Sequence, residues 1–269
     1  MKINYIDIHS HIHDKEFDKD RDEVLARMKE SNIATITIGT HLESSRKAVA
    51  LAEKESLVYA TVGIHPTDTK VEIVSKELEE LAHHKKVVAI GECGLDYFRG
   101  STSEVEKKRQ RALFESQIEL AIKVDKPLMI HGRPSRGSMD AYLDILEILT
   151  PYKLEHGEHL RGNIHFFSGN KEIAQKFLDL GFTMSFTGVV TFTHDYNDVI
   201  RFLPLTSIMS ETDSPYVAPV PYRDKRNEPL FIRETAAQIA RIRGENENMV
   251  AEALFKNAID SFGLHDLFD

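Results

Sequence analysis

The sequence predicts an α/β fold in which eight parallel strands close into one (β/α)8 barrel of the TIM type, as a single domain over residues 1–269. Apolar, strand-like runs alternate with amphipathic helical segments along the chain. Polar residues that suit metal binding stand at the carboxyl ends of five of these runs. No internal repeat, low-complexity segment or linker marks a domain boundary. Length alone does not exclude two smaller domains, but 269 residues can bury one large core.

The elements are predicted in order from periodicity. The strands are predicted at 5–11, 35–39, 58–63, 87–91, 128–131, 163–166, 182–186 and 208–211. The helices are predicted at 20–31, 43–55, 73–82, 103–124, 138–149, 171–180, 197–202, 231–243 and 248–262. The clearest helix is 103–124, where Phe114, Ile118 and Ala121 recur at helical spacing. A proline-rich stretch at 215–229 is interpreted as a long loop that shapes a pocket.

An open, doubly wound sheet is the alternative topology. Its first and eighth strands would lie far apart, whereas the strand ends of a closed barrel converge on one face, where active sites form. The polar strand ends therefore favour the barrel, and we expect His9 of the first strand to lie near Asp213 of the eighth.

Composition limits the class of protein. The formal net charge of -9 argues against a broad basic surface for duplex nucleic acid. It does not exclude a nuclease, because bound divalent cations can receive phosphate locally. The single cysteine, Cys93, excludes an internal disulfide framework and is interpreted as a small buried thiol. Without a recognisable leader or an apolar run of about 20 residues, we expect a cytoplasmic protein with no membrane association and no obligate protein partner.

His9 and His11 end the first strand two residues apart, so their side chains point to the same side. Neutral imidazole is a ligand for zinc and other divalent transition metals. The strand ends together offer four histidines and two carboxylates, more than the about three protein ligands of one catalytic metal. They suit two ions that share a bridging carboxylate. The predicted ligands of two divalent ions are His9, His11, Glu92, His131, His165 and Asp213.

Roles within this set follow from chemistry. Glu92 is the predicted bridge, because its two oxygens can serve two cations. Asp213 can ligate one ion or accept a proton from the attacking water, and both roles stay open, so Glu92 and Asp213 are the predicted catalytic residues. Imidazole favours zinc, while carboxylate and phosphate also suit magnesium and manganese, which leaves the metal unassigned.

Three further residues lie close to these positions in the sequence. His65 ends the third strand, where a substrate-facing role and a structural role are equally compatible with the sequence. Arg133 follows His131 by two residues, and its guanidinium can bind phosphate or instead form a surface salt bridge. His13 is interpreted as a loop residue beyond the first strand.

The chain resembles the TatD family of metal-dependent deoxyribonucleases, within the amidohydrolase-like barrels. The matching segments are 7–11 (DIHSH), 63–66 (GIHP), 90–97 (IGECGLDY), 127–133 (PLMIHGR), 165–169 (HFFSG), 211–216 (ETDSPY) and 226–229 (RNEP). They cover nearly the whole chain in the family's order, and their combination is specific. By this resemblance the six residues above are the family's metal ligands. Three features depart from the family's usual pattern: segments 134–139 and 152–161, interpreted as loops, and Thr67, which stands where the family often has another polar residue or histidine.

The resemblance implies divalent-metal-dependent hydrolysis of DNA phosphodiester bonds, often exonucleolytic, at ends or single strands. A D-aminoacyl-tRNA deacylase, or another ester or amide hydrolase, is the alternative, because an ester would use the same activated water. A binding module without activity is a third class, disfavoured by six intact ligands. A nuclease needs phosphate-binding cations near the metals, and the candidates are Arg99, Arg133 and the loop 223–226.

Overall fold

The computed structural model describes residues 4–68, 74–99 and 103–265. Eight strands form one parallel sheet in the order β1 to β8. They are β1 Tyr5–Ser10, β2 Ile33–Ile38, β3 Val58–Val62, β4 Val87–Asp96, β5 Leu128–Arg133, β6 Gly162–His165, β7 Thr183–Phe186 and β8 Ile208–Ser210. The sheet curves into a nearly closed barrel, as predicted, and the open doubly wound alternative is wrong.

The α-helices alternate with these strands. They are α1 Arg21–Glu30, α2 Leu42–Lys54, α3 Lys76–Ala82, α4 Glu104–Val124, α5 Asp140–His156, α6 Lys171–Asp179, α7 Asn197–Phe202, α8 Ile232–Arg243 and α9 Glu247–Phe262. Residue 73, where the third helix was expected to begin, lies outside the described residues, as do 1–3, 69–72, 100–102 and 266–269. Helix α9 packs against β1 and β8 and covers the outside of their junction. In the part of the chain that the structure describes, no helix has the length and apolarity needed to cross a membrane.

The seam between β1 and β8 closes through a few specific hydrogen bonds. The Asp213 amide donates to the His9 carbonyl at 2.8 Å, and the His11 amide donates to the Ser214 carbonyl at 2.7 Å. The buried Asp7 carboxylate accepts from the Thr212 amide at 2.8 Å and from its hydroxyl at 2.5 Å. Burial raises the pKa of Asp7 well above its ordinary value, although these hydrogen bonds oppose the rise. The seam therefore places the first and last strands side by side, as the barrel prediction requires.

Strand β4 is longer than predicted. It continues through Glu92 to Asp96, so Glu92 lies within the strand and not at its end. The pairing with β5 shifts register between Ile90 and Cys93, and the glycines at 91 and 94 hold positive φ angles of 146° and 130°. This irregularity lets the backbone stay paired while a carboxylate turns inward. Cys93 is fully buried, and burial raises the pKa of its thiol, as expected for a structural cysteine.

The interpretation of 152–161 as a loop is wrong. Helix α5 continues to His156 with Pro151 inside it, and a 3-10 turn follows at Gly157–His159. Proline removes one helical hydrogen bond. Just before it, the Thr150 hydroxyl donates to the Leu146 carbonyl at 2.6 Å. The residue after the helix is Gly157, whose φ of 55° ends the helical conformation. The segment therefore extends the outer helix layer and does not add a loop at the mouth.

Candidate metal centre

The six predicted ligands lie together at the carboxyl end of the barrel, with Glu92 at the middle. One Glu92 oxygen, Oε1, lies 2.8 Å from His131 Nδ1 and 2.9 Å from His165 Nε2. The other, Oε2, lies 3.6 Å from His9 Nε2. The carboxylate therefore faces imidazoles from β1 on one side and from β5 and β6 on the other.

Asp213 completes the side formed by the first strand. Its Oδ1 lies 3.7 Å from His9 Nε2 and 3.5 Å from His11 Nε2. The rings of His9 and His11 are 5.2 Å apart between centroids, so the pair is presented together as the alternation predicted. Asp213 has a φ of 55°, a left-handed conformation that non-glycine residues adopt with strain. This conformation follows the seam contact to His9 and turns the carboxylate toward the two histidines.

The donor atoms form two groups that share Glu92. Ligand atoms of His9, His11 and Glu92 all lie within 4.8 Å of one another, and so do those of Glu92, His131 and His165. Each group offers two imidazole nitrogens and a carboxylate oxygen, a set that suits a divalent transition metal. Asp213 lies beside the first group. The residues are thus able to hold metal.

Unpaired nitrogen atoms show that the centre fits a cation. Among the described residues, both ring nitrogens of His9 and Nδ1 of His165 are buried without a hydrogen-bond partner. An unsatisfied buried polar atom is costly, and an imidazole lone pair is satisfied by a metal ion. Burial also lowers the pKa of His9, which favours the neutral form that ligates. The chemistry of the donors therefore agrees with the metal-binding prediction.

Electrostatics keeps both carboxylates ionised. Burial alone would raise the pKa of Glu92, but the surrounding imidazoles, His165 foremost, hold it well below its ordinary value. Burial likewise opposes ionisation of Asp213, and the contact with His11 outweighs it, so the pKa of Asp213 is lowered. The centre is an anionic core enclosed by nitrogen donors.

Two buried carboxylates that sequence reasoning missed lie behind the histidines. Asp96 Oδ2 lies 3.0 Å from His131 Nε2, and Glu211 Oε1 lies 3.5 Å from His165 Nδ1. Both residues fall inside motifs that were singled out, four residues after Glu92 and two before Asp213. Nothing in the spacing shows which neighbouring strand each carboxylate would face. His13, interpreted as a loop residue, does lie in a turn, but it is buried and its two ring nitrogens contact the hydroxyls of Thr37 and Ser44.

A cavity of about 1130 Å³ opens above the centre and includes both predicted substrate-binding residues. His65 Nε2 lies 3.5 Å from Glu92 Oε1, and its Nδ1 accepts a hydrogen bond from the Thr67 amide at 3.2 Å. Arg133 lines the same cavity, with its guanidinium 4.3 Å above the ring of the exposed Phe98. Among the described residues, none of the ion pairs involves Arg133.

The other candidate phosphate-binding cations divide into two groups. Arg99 lines the cavity beside Arg133. Arg226 does not contribute a free charge, because it forms ion pairs with Asp20 at 2.7 Å and with Glu228 at 3.2 Å. Arg223 donates to the Ala218 carbonyl and stacks on Phe192 away from the cavity lining. The proline-rich loop does shape the pocket, through Tyr216 and Val217.

Comparison with known proteins identifies the class of this barrel. The family model described as TatD related DNase matches residues 6–263. The uncharacterized metal-dependent hydrolase YabD of Bacillus subtilis is 34% identical over 94% of this chain and 96% of its own length. The uncharacterized metal-dependent hydrolase YcfH of Escherichia coli is 33% identical over 96% of this chain and 93% of its own.

Solved structures agree. The Escherichia coli TatD homologue YJJV superposes with a TM-score of 0.81 at 28% identity, over 98% of this chain and 99% of that one. A TatD family hydrolase from Entamoeba histolytica has a TM-score of 0.82 at 24% identity, over 97% of this chain and 99% of that one, and shows the shared fold. Fold, site and similarities define a metal-dependent hydrolase. The chain belongs to the TatD family.

Proposed function

We propose that the protein is a deoxyribonuclease that hydrolyses DNA phosphodiester bonds at ends or single strands, exonucleolytically, with two divalent ions held by His9, His11, Glu92, His131, His165 and Asp213. The observation that carries this proposal is the placing of Arg99 and Arg133 in the same cavity as the histidine and carboxylate centre. The chain as a whole is acidic, so two arginines at this mouth provide a local attraction for phosphate.

Each residue has a task in this proposal. Glu92 holds the two histidine groups together as a shared anion, and Asp213 ligates and accepts a hydrogen bond from the attacking water. Divalent ions at such a centre supply Lewis acidity toward a phosphodiester and ionise a hydrolytic water near neutral pH. The Thr67 amide donates to His65 Nδ1, so a neutral His65 carries its proton on Nε2 and can donate it to a phosphate oxygen. Burial lowers the pKa of His65 to about 3, which keeps the ring neutral.

The direct test is an activity assay on metal-stripped protein reloaded separately with Mg²⁺, Mn²⁺ or Zn²⁺. End-labelled single-stranded DNA, duplex DNA and D-aminoacyl-tRNA are offered in parallel. We expect metal-dependent cleavage of single-stranded DNA that disappears with a chelator and returns with the ion. Metal-dependent deacylation without cleavage of any DNA would overturn the proposal. Among the described residues of the site, no feature favours that alternative.

Arg133→Ala is expected to weaken DNA binding more than chemistry. Losing one charge-assisted phosphate contact removes about 1.5 kcal/mol, so KM should rise about tenfold while kcat changes little. The effect should shrink as salt increases, because each counterion released into a more concentrated solution contributes less free energy. Steady-state kinetics on a short single strand across a salt series measures both trends. Arg223→Ala is the matched control, since Arg223 also stacks on an exposed phenylalanine but lies off the cavity lining; equal kinetics for Arg133→Ala and wild type would remove Arg133 from the site.

A further inference from the structure

The carboxylate of Asp96 lies directly behind one of the proposed ligands. Asp96 is fully buried, and its Oδ2 lies 3.0 Å from His131 Nε2. The opposite ring nitrogen, Nδ1, faces Glu92 at 2.8 Å. We propose that Asp96 is a positioning residue that fixes His131 in the Nε2–H tautomer and thereby leaves the Nδ1 lone pair available to a divalent ion. The inference rests on the proposed ligand role of His131 and is independent of the identity of the substrate.

The hydrogen bonds around Asp96 fix the direction of its contact with His131. Its Oδ1 accepts from the amides of Phe98 at 2.9 Å and Arg99 at 2.7 Å. Its main-chain amide donates to Gln110 Oε1 at 2.9 Å, and its carbonyl accepts from Gln110 Nε2 at 3.1 Å. An ionised carboxylate held this way has no proton to give, so the proton of the 3.0 Å contact belongs to His131 Nε2.

The tautomer decides what the other edge of the ring can do. A neutral imidazole carries one proton, so a proton on Nε2 leaves Nδ1 as an acceptor. Nδ1 then faces the Glu92 carboxylate, which is also an acceptor, and a shared cation satisfies both atoms. A carboxylate behind a histidine ligand also raises the basicity of the coordinating nitrogen and fixes the plane of the ring.

His165 differs in this respect. Its Nδ1 has no hydrogen-bond partner among the residues that the structure describes, and it lies 3.5 Å from Glu211. The Glu211 oxygens accept from the Phe166 amide at 2.5 Å and from the Ser185 hydroxyl at 2.8 Å. Glu211 is therefore occupied by other donors, whereas Oδ2 of Asp96 faces His131. The geometry therefore indicates that Asp96 fixes the tautomer of His131, and that Glu211 has no corresponding role toward His165.

Asp96→Asn separates this role from a structural one. In the variant, the two backbone amides that donate to Oδ1 would donate to the amide oxygen of asparagine. The NH₂ group of asparagine would then face His131 Nε2. That nitrogen must then accept, the ring proton moves to Nδ1, and the lone pair for the ion is lost. A purely structural role predicts that Asn is milder than Ala, because Asn keeps the backbone hydrogen bonds. Tautomer control predicts that Asn is at least as damaging as Ala. In the Ser-His-Asp triad the Asp→Asn change likewise leaves the geometry intact but gives the histidine the wrong tautomer.

The experiment uses the whole protein and no DNA. Mn²⁺ binding is titrated for wild type, Asp96→Asn, Asp96→Ala and His131→Ala, the last defining full loss of the His131 ligand. We expect Asp96→Asn to weaken the affected ion about 10- to 100-fold. Asp144→Asn is the matched control, because Asp144 accepts from the Tyr97 hydroxyl next to Asp96 but lies outside the centre; it should keep wild-type affinity. Wild-type affinity in Asp96→Asn, or a milder effect than in Asp96→Ala, would overturn the proposal.

Nitrogen NMR of Zn²⁺-loaded, histidine-labelled wild type adds a readout that does not depend on the Asp96 variants folding. The His131 signals are assigned by their loss in His131→Ala. We expect the ring proton of His131 on Nε2; a proton on Nδ1 would overturn the proposal. If His131→Ala binds Mn²⁺ as tightly as wild type, the metal centre itself is wrong and this inference falls with it. If the four proteins bind Mn²⁺ as expected but the wild type cleaves no DNA, only the proposed substrate is wrong.

Discussion

Glu92→Gln is expected to lower kcat by about a thousandfold or more while the fold stays intact. The amide keeps the size of the side chain but removes the negative charge that faces all three of His9, His131 and His165. Loss of a shared anion weakens both ligand groups, and the electrostatic stabilisation it supports is worth several kcal/mol. The measurements are kcat, metal content and the far-ultraviolet circular dichroism spectrum.

Glu228→Gln is the control for removing a glutamate charge elsewhere. Glu228 pairs with Arg27 and Arg226 outside the cavity lining, so its amide variant should keep wild-type kcat. Near wild-type kcat in Glu92→Gln, with a full complement of metal, would exclude the bridging role. A large loss of kcat in both variants would point to a general effect of charge.

Gly94→Ala is expected to lower the free energy of unfolding by about 3 kcal/mol or more. Gly94 has a φ of 130°, and a Cβ there would lie 2.1 Å from the main-chain carbonyl oxygen of His131 on the next strand. Backbone cannot move aside as a flexible side chain would, so β4 and β5 must separate just where Glu92 and His131 meet. Urea unfolding followed by circular dichroism measures the change.

Gly137→Ala isolates the conformational part of that effect. Gly137 also has a positive φ, 74°, but apart from its chain neighbours no described residue has an atom within 4 Å of a Cβ built there. Its alanine variant should lose only about 1–2 kcal/mol in free energy of unfolding, the cost of placing a Cβ in the left-handed conformation. Equal losses in the two variants would show that the contact with His131 is not what restricts position 94.

The sequence predicts most of this architecture because its signals are local. Alternation places His9 beside His11, and the change of period between strand and helix marks each βα unit. The position at which β4 ends depends on contacts that are distant in sequence. In the sequence Glu92 looks like the last residue of a strand, yet it is buried because imidazoles from three other strands surround it. Pro151 likewise predicts a helix end, but α5 continues through it.

The unpredicted part of the site depends on strand register. Asp96 faces His131 because β4 and β5 pair with Gly94 opposite His131, after a register shift that periodicity does not reveal. The sequence indicates the six proposed ligands because histidine and carboxylate are conspicuous at strand ends. The acidic groups beside those residues have no distinguishing sequence signal, because their role depends on the neighbouring strand. The sequence likewise does not reveal that Arg226, a candidate phosphate-binding cation, pairs with Asp20, which lies 206 positions away.

The seam between β1 and β8 has a consequence for biosynthesis. Asp7 and Thr212 are 205 positions apart, so Asp7 leaves the ribosome long before the residue that it contacts across the seam. The same is true of His9 and Asp213, which bring the two ends of the centre together. A nascent chain or a fragment that stops before the eighth strand lacks Asp213 and the seam. Closure of the barrel, and with it the full set of six proposed ligands, therefore waits until the eighth strand and the residues that follow it have been synthesised.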